Sequence, residues 1–163
     1  MAKDEAGDRY NLQRFVDAQA EVFEQACSEL REGRKRSHWM WFIFPQIRGL
    51  GSSSMAGKFA ISSLAEARAY LDHVVLGPRL RECSRIVAGV EGRSVHDIFG
   101  YPDDLKFYSS MTLFTRAATE NQVFINALER YFGGKMDRMT LELLAGVDND
   151  SLARPPGAAD SSN

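Results

Sequence analysis

From Leu12 to Leu30 the side chains that can be buried recur at intervals of three and four: Leu12, Phe15, Val16, Gln19, Val22, Phe23, Ala26 and Leu30. That period puts them on one stripe of a long amphipathic helix, which must bury that stripe against other elements. Asn11 is a suitable N-cap, and Gly33 suits the left-handed turn that ends a helix. The same period returns in Leu80, Cys83, Ile86, Val87 and Val90, and again in Val123, Phe124, Ala127, Leu128 and Tyr131. No stretch alternates with the two-residue period of a strand. The expectation is an all-α fold, a single compact domain of about seven to eight short-to-medium helices in an irregular array.

Local signals set the other boundaries. Ser63 with Glu66 reads as a capping box for a helix to about His73. Gly77-Pro78 opens the next helix, with proline at its first position. Ser94 and Asp97 cap a short helix that stops at Gly100, and Pro102 starts a helix over about Asp103 to Ala118. Asn121 caps another, ended by Gly133-Gly134, and Asp137 caps a last one through Leu144. The segment Ser37-His38-Trp39-Met40-Trp41-Phe42-Ile43-Phe44-Pro45 is the most apolar in the chain. Its length fits either a short buried helix or a buried strand, and helix, with Ser37 near its cap and Pro45 close after its end, is the reading taken. Gln46 to Gly57 reads as a glycine- and serine-rich loop. The division expected is a flexible N-terminus over 1–10, one helical domain over 11–146 and a disordered tail over 147–163.

Composition removes several classes of function. Hydrophobic residues make up 44% of the chain and charged residues 26%, enough apolar surface for a folded core. A net charge of −2 offers no bulk attraction to nucleic acid or to an anionic membrane, so neither is an expected partner. No run approaches the ~20 apolar residues that span a bilayer, and Met1 to Tyr10 lacks the apolar core of a secretory signal. The two cysteines, Cys27 and Cys83, read as buried thiols of a reducing compartment, and a cytoplasmic location follows. His38, His73 and His96 have no ligand at metal-binding spacing, so no metal or cofactor is expected. Gly51 to Lys58 resembles a phosphate loop only loosely. Five residues separate its glycines, and Phe59 stands where a hydroxyl would meet magnesium. Contact of backbone amides with phosphate at this helix start is what the residues still allow. The run Arg34-Lys35-Arg36 follows a helix end, where cations meet the dipole.

Two segments concentrate chemistry. In His38 to Gly51, Trp39 or Trp41 offers a stacking surface, His38 and Gln46 offer polar groups, and the amides near Gly49 and Gly51 can approach a ligand. In Tyr101 to Thr112, Asp103 and Asp104 lie in the first helical turn, and Lys106, Ser109 and Ser110 share one face. That face is polar and small for a helix that also carries Leu105, Phe107, Tyr108 and Phe114.

These blocks also carry a likeness. Leu12 to Gln19, Ser37 to Gln46 with Gly49-Leu50-Gly51, Leu76 to Leu80, Phe99 to Lys106, Ser109 to Phe114 and Tyr131 to Gly134 resemble a family called domain of unknown function 1810, over about residues 11–145. The resemblance implies an all-helical fold and no established activity. Relatives often carry the label calpastatin, but inhibitors of that name are long, disordered and repetitive. A compact, apolar-patterned domain argues against calpain inhibition.

The functional expectation is a small-molecule-binding helical domain, with a small anionic or nucleotide-like, flat ligand. Trp39, Trp41, Gln46, Gly49, Gly51, Ser109 and Ser110 are the binding candidates. If the chain is an enzyme, a hydrolase or transferase is expected, with His38, Asp104 and Lys106 as the catalytic candidates. The alternative is a protein-interaction module without catalysis, in which a helical groove presents the indoles as anchors.

Overall fold

The computed structural model describes residues 8–153, and among them ten helices account for the fold. They are α1 Gln13–Gln19, α2 Phe23–Arg31, α3 Met40–Ile43, α4 Ser54–Lys58, α5 Leu64–Asp72, α6 Leu76–Gly89, α7 Val95–Phe99, α8 Asp103–Ala117, α9 Gln122–Phe132 and α10 Arg138–Ala153. The only extended pairing among the described residues is an isolated parallel bridge, Ile47 to Ile61. The all-α expectation therefore holds.

Helix α8 is the centre of the array. It packs on α5, α7, α9 and α10, and nearly every side chain from Phe107 to Ala117 is buried. The outer pairs are α6 with α9, α5 with α6, α2 with α6, and α1 with α3. An aromatic core runs through it, with Phe44 edge-on to both Phe99 and Phe107 and Phe15 edge-on to Tyr70.

Several boundaries differ from the sequence expectation, each for a tertiary reason. The long first helix is two, broken at Ala20 to Val22. Its first half buries Leu12, Phe15 and Gln19 on the side of α3 and α5, while its second half buries Ala26, Cys27 and Leu30 against α6. The buried Gln19 holds the break: its Nε2 donates to Phe42 O at 2.7 Å and to Tyr70 Oη at 3.1 Å, and its Oε1 accepts from Arg79 at 3.2 Å. Helix α3 has only four residues, and Ser37 does not cap it. Helix α6 starts at Leu76, ahead of Pro78, because His73 Nδ1 accepts from the N–H groups of Val75 and Leu76 at 3.1 and 3.2 Å. Those two bonds put the ring proton of neutral His73 on Nε2. Asn121 does not cap α9; its Nδ2 reaches back to Thr115 O.

The most local signals hold as expected. Ser94 and Asp97 form the full capping box of α7, and Gly100 follows it with φ +75°. Ser63 caps α5, though Glu66 turns to Ser62 and Arg14 instead of closing the box. Asp137 caps α10 through the Thr140 amide, and that helix runs past the expected Leu144 to Ala153. Residues 1–7 of the expected flexible start and 154–163 of the expected tail lie outside the described residues.

Candidate functional site

Glu29, on α2, organises the approach to the site. It is 1% exposed, yet its carboxylate accepts five hydrogen bonds: from the backbone N–H groups of Arg36 and Ser37, from Ser37 Oγ, from Gln25 Nε2 and from Trp39 Nε1 at 2.9 Å. Burial alone pushes the carboxyl up. The Ser37 hydroxyl and the Arg36 amide, with the other donors, outweigh it and hold the carboxyl down at about 2. The charge folds Arg34 to Trp39 over the end of α2 and delivers the chain into α3.

Trp39 is thereby removed from the candidates. It is 1% exposed with its only polar atom spent on Glu29, so it is a core side chain. Trp41, two residues on, is half-buried. Lys106 from α8 lies over its ring, with Nζ 4.9 Å from the centroid, so the two candidate segments meet here. Asp103 ties the junction together: Oδ1 is 3.4 Å from Lys106 Nζ and Oδ2 is 2.8 Å from Lys35 Nζ. Lys35 in turn lies over the Trp39 ring, and its amide donates to Ile98 O.

No hydrogen bond or ion pair among the described residues joins the catalytic candidates to one another. His38 is exposed to solvent. Asp104 faces His96, Oδ2 to Nδ1 at 3.3 Å, across the turn at Gly100. Ser109 and Ser110 are 5% and 0% exposed and belong to the packing of α8, which corrects their assignment to a ligand. Ser109 Oγ lies within hydrogen-bond distance of Leu105 O and Asp137 Oδ2, and Ser110 Oγ has no partner among the described residues. Their small size is what a central helix contacting four others requires.

Four of the binding candidates do share one cleft. Trp41, Gln46, Gly49 and Gly51 line a cavity of about 40 Å³, closed by Phe59 and Ala60 and by Ala56 and Gly57 of α4. The Ile47–Ile61 bridge shapes it. Arg48 N donates to Ile61 O and Ile61 N donates to Gln46 O, both at 2.8 Å. With Ile47 buried at 1% exposure, extended geometry turns the Gln46 and Arg48 side chains the other way. The glycines are needed there. Gly49 has φ +110°, and a Cβ on Gly51 would stand 2.7 Å from the Ala56 Cβ.

Arg48, not among the candidates, lines both this cleft and an open groove of about 460 Å³ that also takes in Arg9, Arg14, Lys58 and Glu66. Arg14 is a structural clamp within it. Its guanidinium donates to the carbonyls of Tyr10, Asn11, Lys58 and Ala60, and meets the buried Glu66 at 3.0 Å. A second, larger groove of about 900 Å³ lies between α6, α7 and α9, lined by Arg85, Arg93 and Arg130. The hint of Glu29 in the sequence is a carboxylate at a stripe position, one residue before Leu30. Nothing local marks Arg48, and Lys35 reads only as one of three cations at a helix end, whereas it is paired to Asp103 and nearly buried. Among the described residues no cluster of three or more His, Cys, Asp or Glu side chains is placed to hold a metal, and no helix is long and apolar enough to cross a membrane.

The class these observations define is a single all-helical domain with a small polar cleft beside a half-buried tryptophan. The chain belongs to the family described as Protein of unknown function (DUF1810), whose model matches residues 9–144. The fold is also that of a solved structure, the conserved hypothetical protein Rv1873 from Mycobacterium tuberculosis. The likeness has a TM-score of 0.84 and 59% sequence identity, over 85% of this chain and 99% of that one. No curated protein matches the chain.

Proposed function

We propose that this domain binds a small anionic ligand with a flat ring, seated between the Trp41 cleft and the basic groove that Arg48 joins to it. The supporting observation is that one side chain, Arg48, lines both spaces: the cleft with Trp41, Gln46, Gly49 and Gly51, and the groove with Arg9 and Lys58. A cleft of about 40 Å³ takes a single small group, so the bulk of a nucleotide-sized ligand lies in the 460 Å³ groove. Charge supports the same division. The groove gathers four cationic side chains around one carboxylate, Glu66, which Arg14 already neutralises.

The interaction-module reading keeps only Trp41 as an indole anchor, since Trp39 is in the interior. The catalytic reading needs a base aimed at the ligand, and Asp104 is turned to His96. Binding without an assigned reaction is therefore the function we favour.

Calorimetric titration with adenosine monophosphate and with inorganic phosphate tests it. Arg48 is exposed, so Arg48→Ala should leave the fold intact. Losing one charge-assisted contact should weaken binding by about tenfold or more. Gln46→Ala should weaken it less, and Arg130→Ala, in the other groove, should leave it unchanged. Equal affinity in the parent and Arg48→Ala, or no heat with either probe, would sink the proposal.

A further inference from the structure

The two cysteines take no part in the proposed site, yet they face each other. Cys27 on α2 and Cys83 on α6 stand with their Sγ atoms 4.0 Å apart, and both are buried. They are the chain's only cysteines, and they come from helices that pack directly on one another. We propose that Cys27 and Cys83 are a reversible disulfide pair that a small hydroperoxide closes, locking α2 onto α6.

A disulfide needs the sulfurs to close by about 2 Å, and they start in contact on two helices that pack directly on each other. The electrostatics select the attacking partner. The hydrogen bond from Cys83 lowers the Cys27 thiol, burial opposes it, and Arg31 adds to the lowering, whereas the same bond and burial raise Cys83. The Cys27 thiolate attacks one peroxide oxygen and the O–O bond breaks, giving a sulfenic acid. The other oxygen leaves with the bonding electrons and takes up the proton Cys27 gave up, as water from hydrogen peroxide or as an alcohol from an organic hydroperoxide. The Cys83 thiol then displaces that hydroxyl from the Cys27 sulfur, forming the S–S bond as its own proton leaves with the hydroxyl as water. Together the two thiols have lost two electrons, taken up when the O–O bond broke. Both thiols are buried, so the peroxide reaches them in local openings that part α2 from α6.

The full chain is treated with hydrogen peroxide, unfolded under non-reducing conditions, and its free thiols are counted and mapped. The expected result is loss of both thiols together, a peptide linking Cys27 to Cys83 within one chain, and recovery of both thiols with a dithiol reductant. The bond would close a loop spanning 56 positions, so the oxidised protein should melt higher by about 5 °C or more. In Cys27→Ser, the remaining Cys83 thiol should survive the same treatment. Persistence of both thiols, conversion to sulfinic or sulfonic acids, or linkage between chains would overturn the proposal. So would loss of Cys83 in Cys27→Ser as fast as in the parent. Parent-protein mapping alone decides the matter should the variant not fold.

Discussion

Glu29→Ala is expected to destabilise the domain by about 3–5 kcal/mol, because it strands a buried indole N–H and two backbone amides that one carboxylate now satisfies. Urea unfolding at neutral pH measures it. Glu29→Gln should cost less, since the amide oxygen can still accept from Trp39 or from the loop.

The same residue sets a pH dependence whose sign follows from its low carboxyl value. A carboxyl at 4.5 when unfolded and about 2 when folded binds its proton more weakly in the native state. The stability it contributes is therefore complete above about pH 5 and is lost as pH falls toward about 2. At about 1.4 kcal/mol per pH unit, the loss is about 3 kcal/mol. Glu29→Gln should flatten that acid limb of the stability curve. An unchanged limb in Glu29→Gln would mean that another carboxylate carries the effect.

The second large effect comes from a glycine. Helix α6 begins so close under the end of α5 that a Cβ on Gly77 would lie 2.0 Å from Leu71 O and 2.9 Å from Leu71 C. Both are backbone atoms, so no rotamer change relieves the overlap and the two helices must part. Gly77→Ala should cost about 3 kcal/mol or more and lower the melting temperature by about 10 °C. Gly89→Ala is the matched control. It lies at the other end of the same helix with nothing within 4 Å of its Cβ position, and should be neutral or slightly stabilising. Equal melting temperatures for the two variants would contradict the close packing of α5 on α6.

What could be read from the sequence was what short stretches decide for themselves. The capping box at Ser94 and Asp97, the turn at Gly100 and the start of α8 depend on neighbours a few residues away, and all three are present. The break between α1 and α2 was hidden because the three-and-four spacing runs on unbroken while the burying partner changes from α3 and α5 to α6. The start of α6 was misjudged because a histidine lone pair, not the proline, serves its first amides. Trp41, Gln46, Gly49 and Gly51 can be grouped from the sequence because they fall within eleven residues, from α3 across the bridge at Ile47. Which indole faces the cleft could not be read. Trp39 and Trp41 are two residues apart, and the buried carboxylate of Glu29 from another helix decides between them. Ser109 and Ser110 looked like a polar face, but a helix surrounded on four sides uses such residues for closeness. Nothing in the sequence around Arg48 sets it apart, because its importance arises only where the loop meets the groove formed by Arg9, Arg14 and Lys58.

The two indole N–H groups offer the most direct test of the proposed site. One is locked to Glu29 in the interior and the other belongs to Trp41, which lines the cleft. In a nitrogen–proton correlation spectrum titrated with adenosine monophosphate, the Trp41 indole and the amides of Arg48, Gly49 and Gly51 should move together along one saturation curve. The Trp39 indole should stay in place. Movement confined to residues around Arg85, Arg93 and Arg130, or no movement at all, would contradict a ligand site at Trp41.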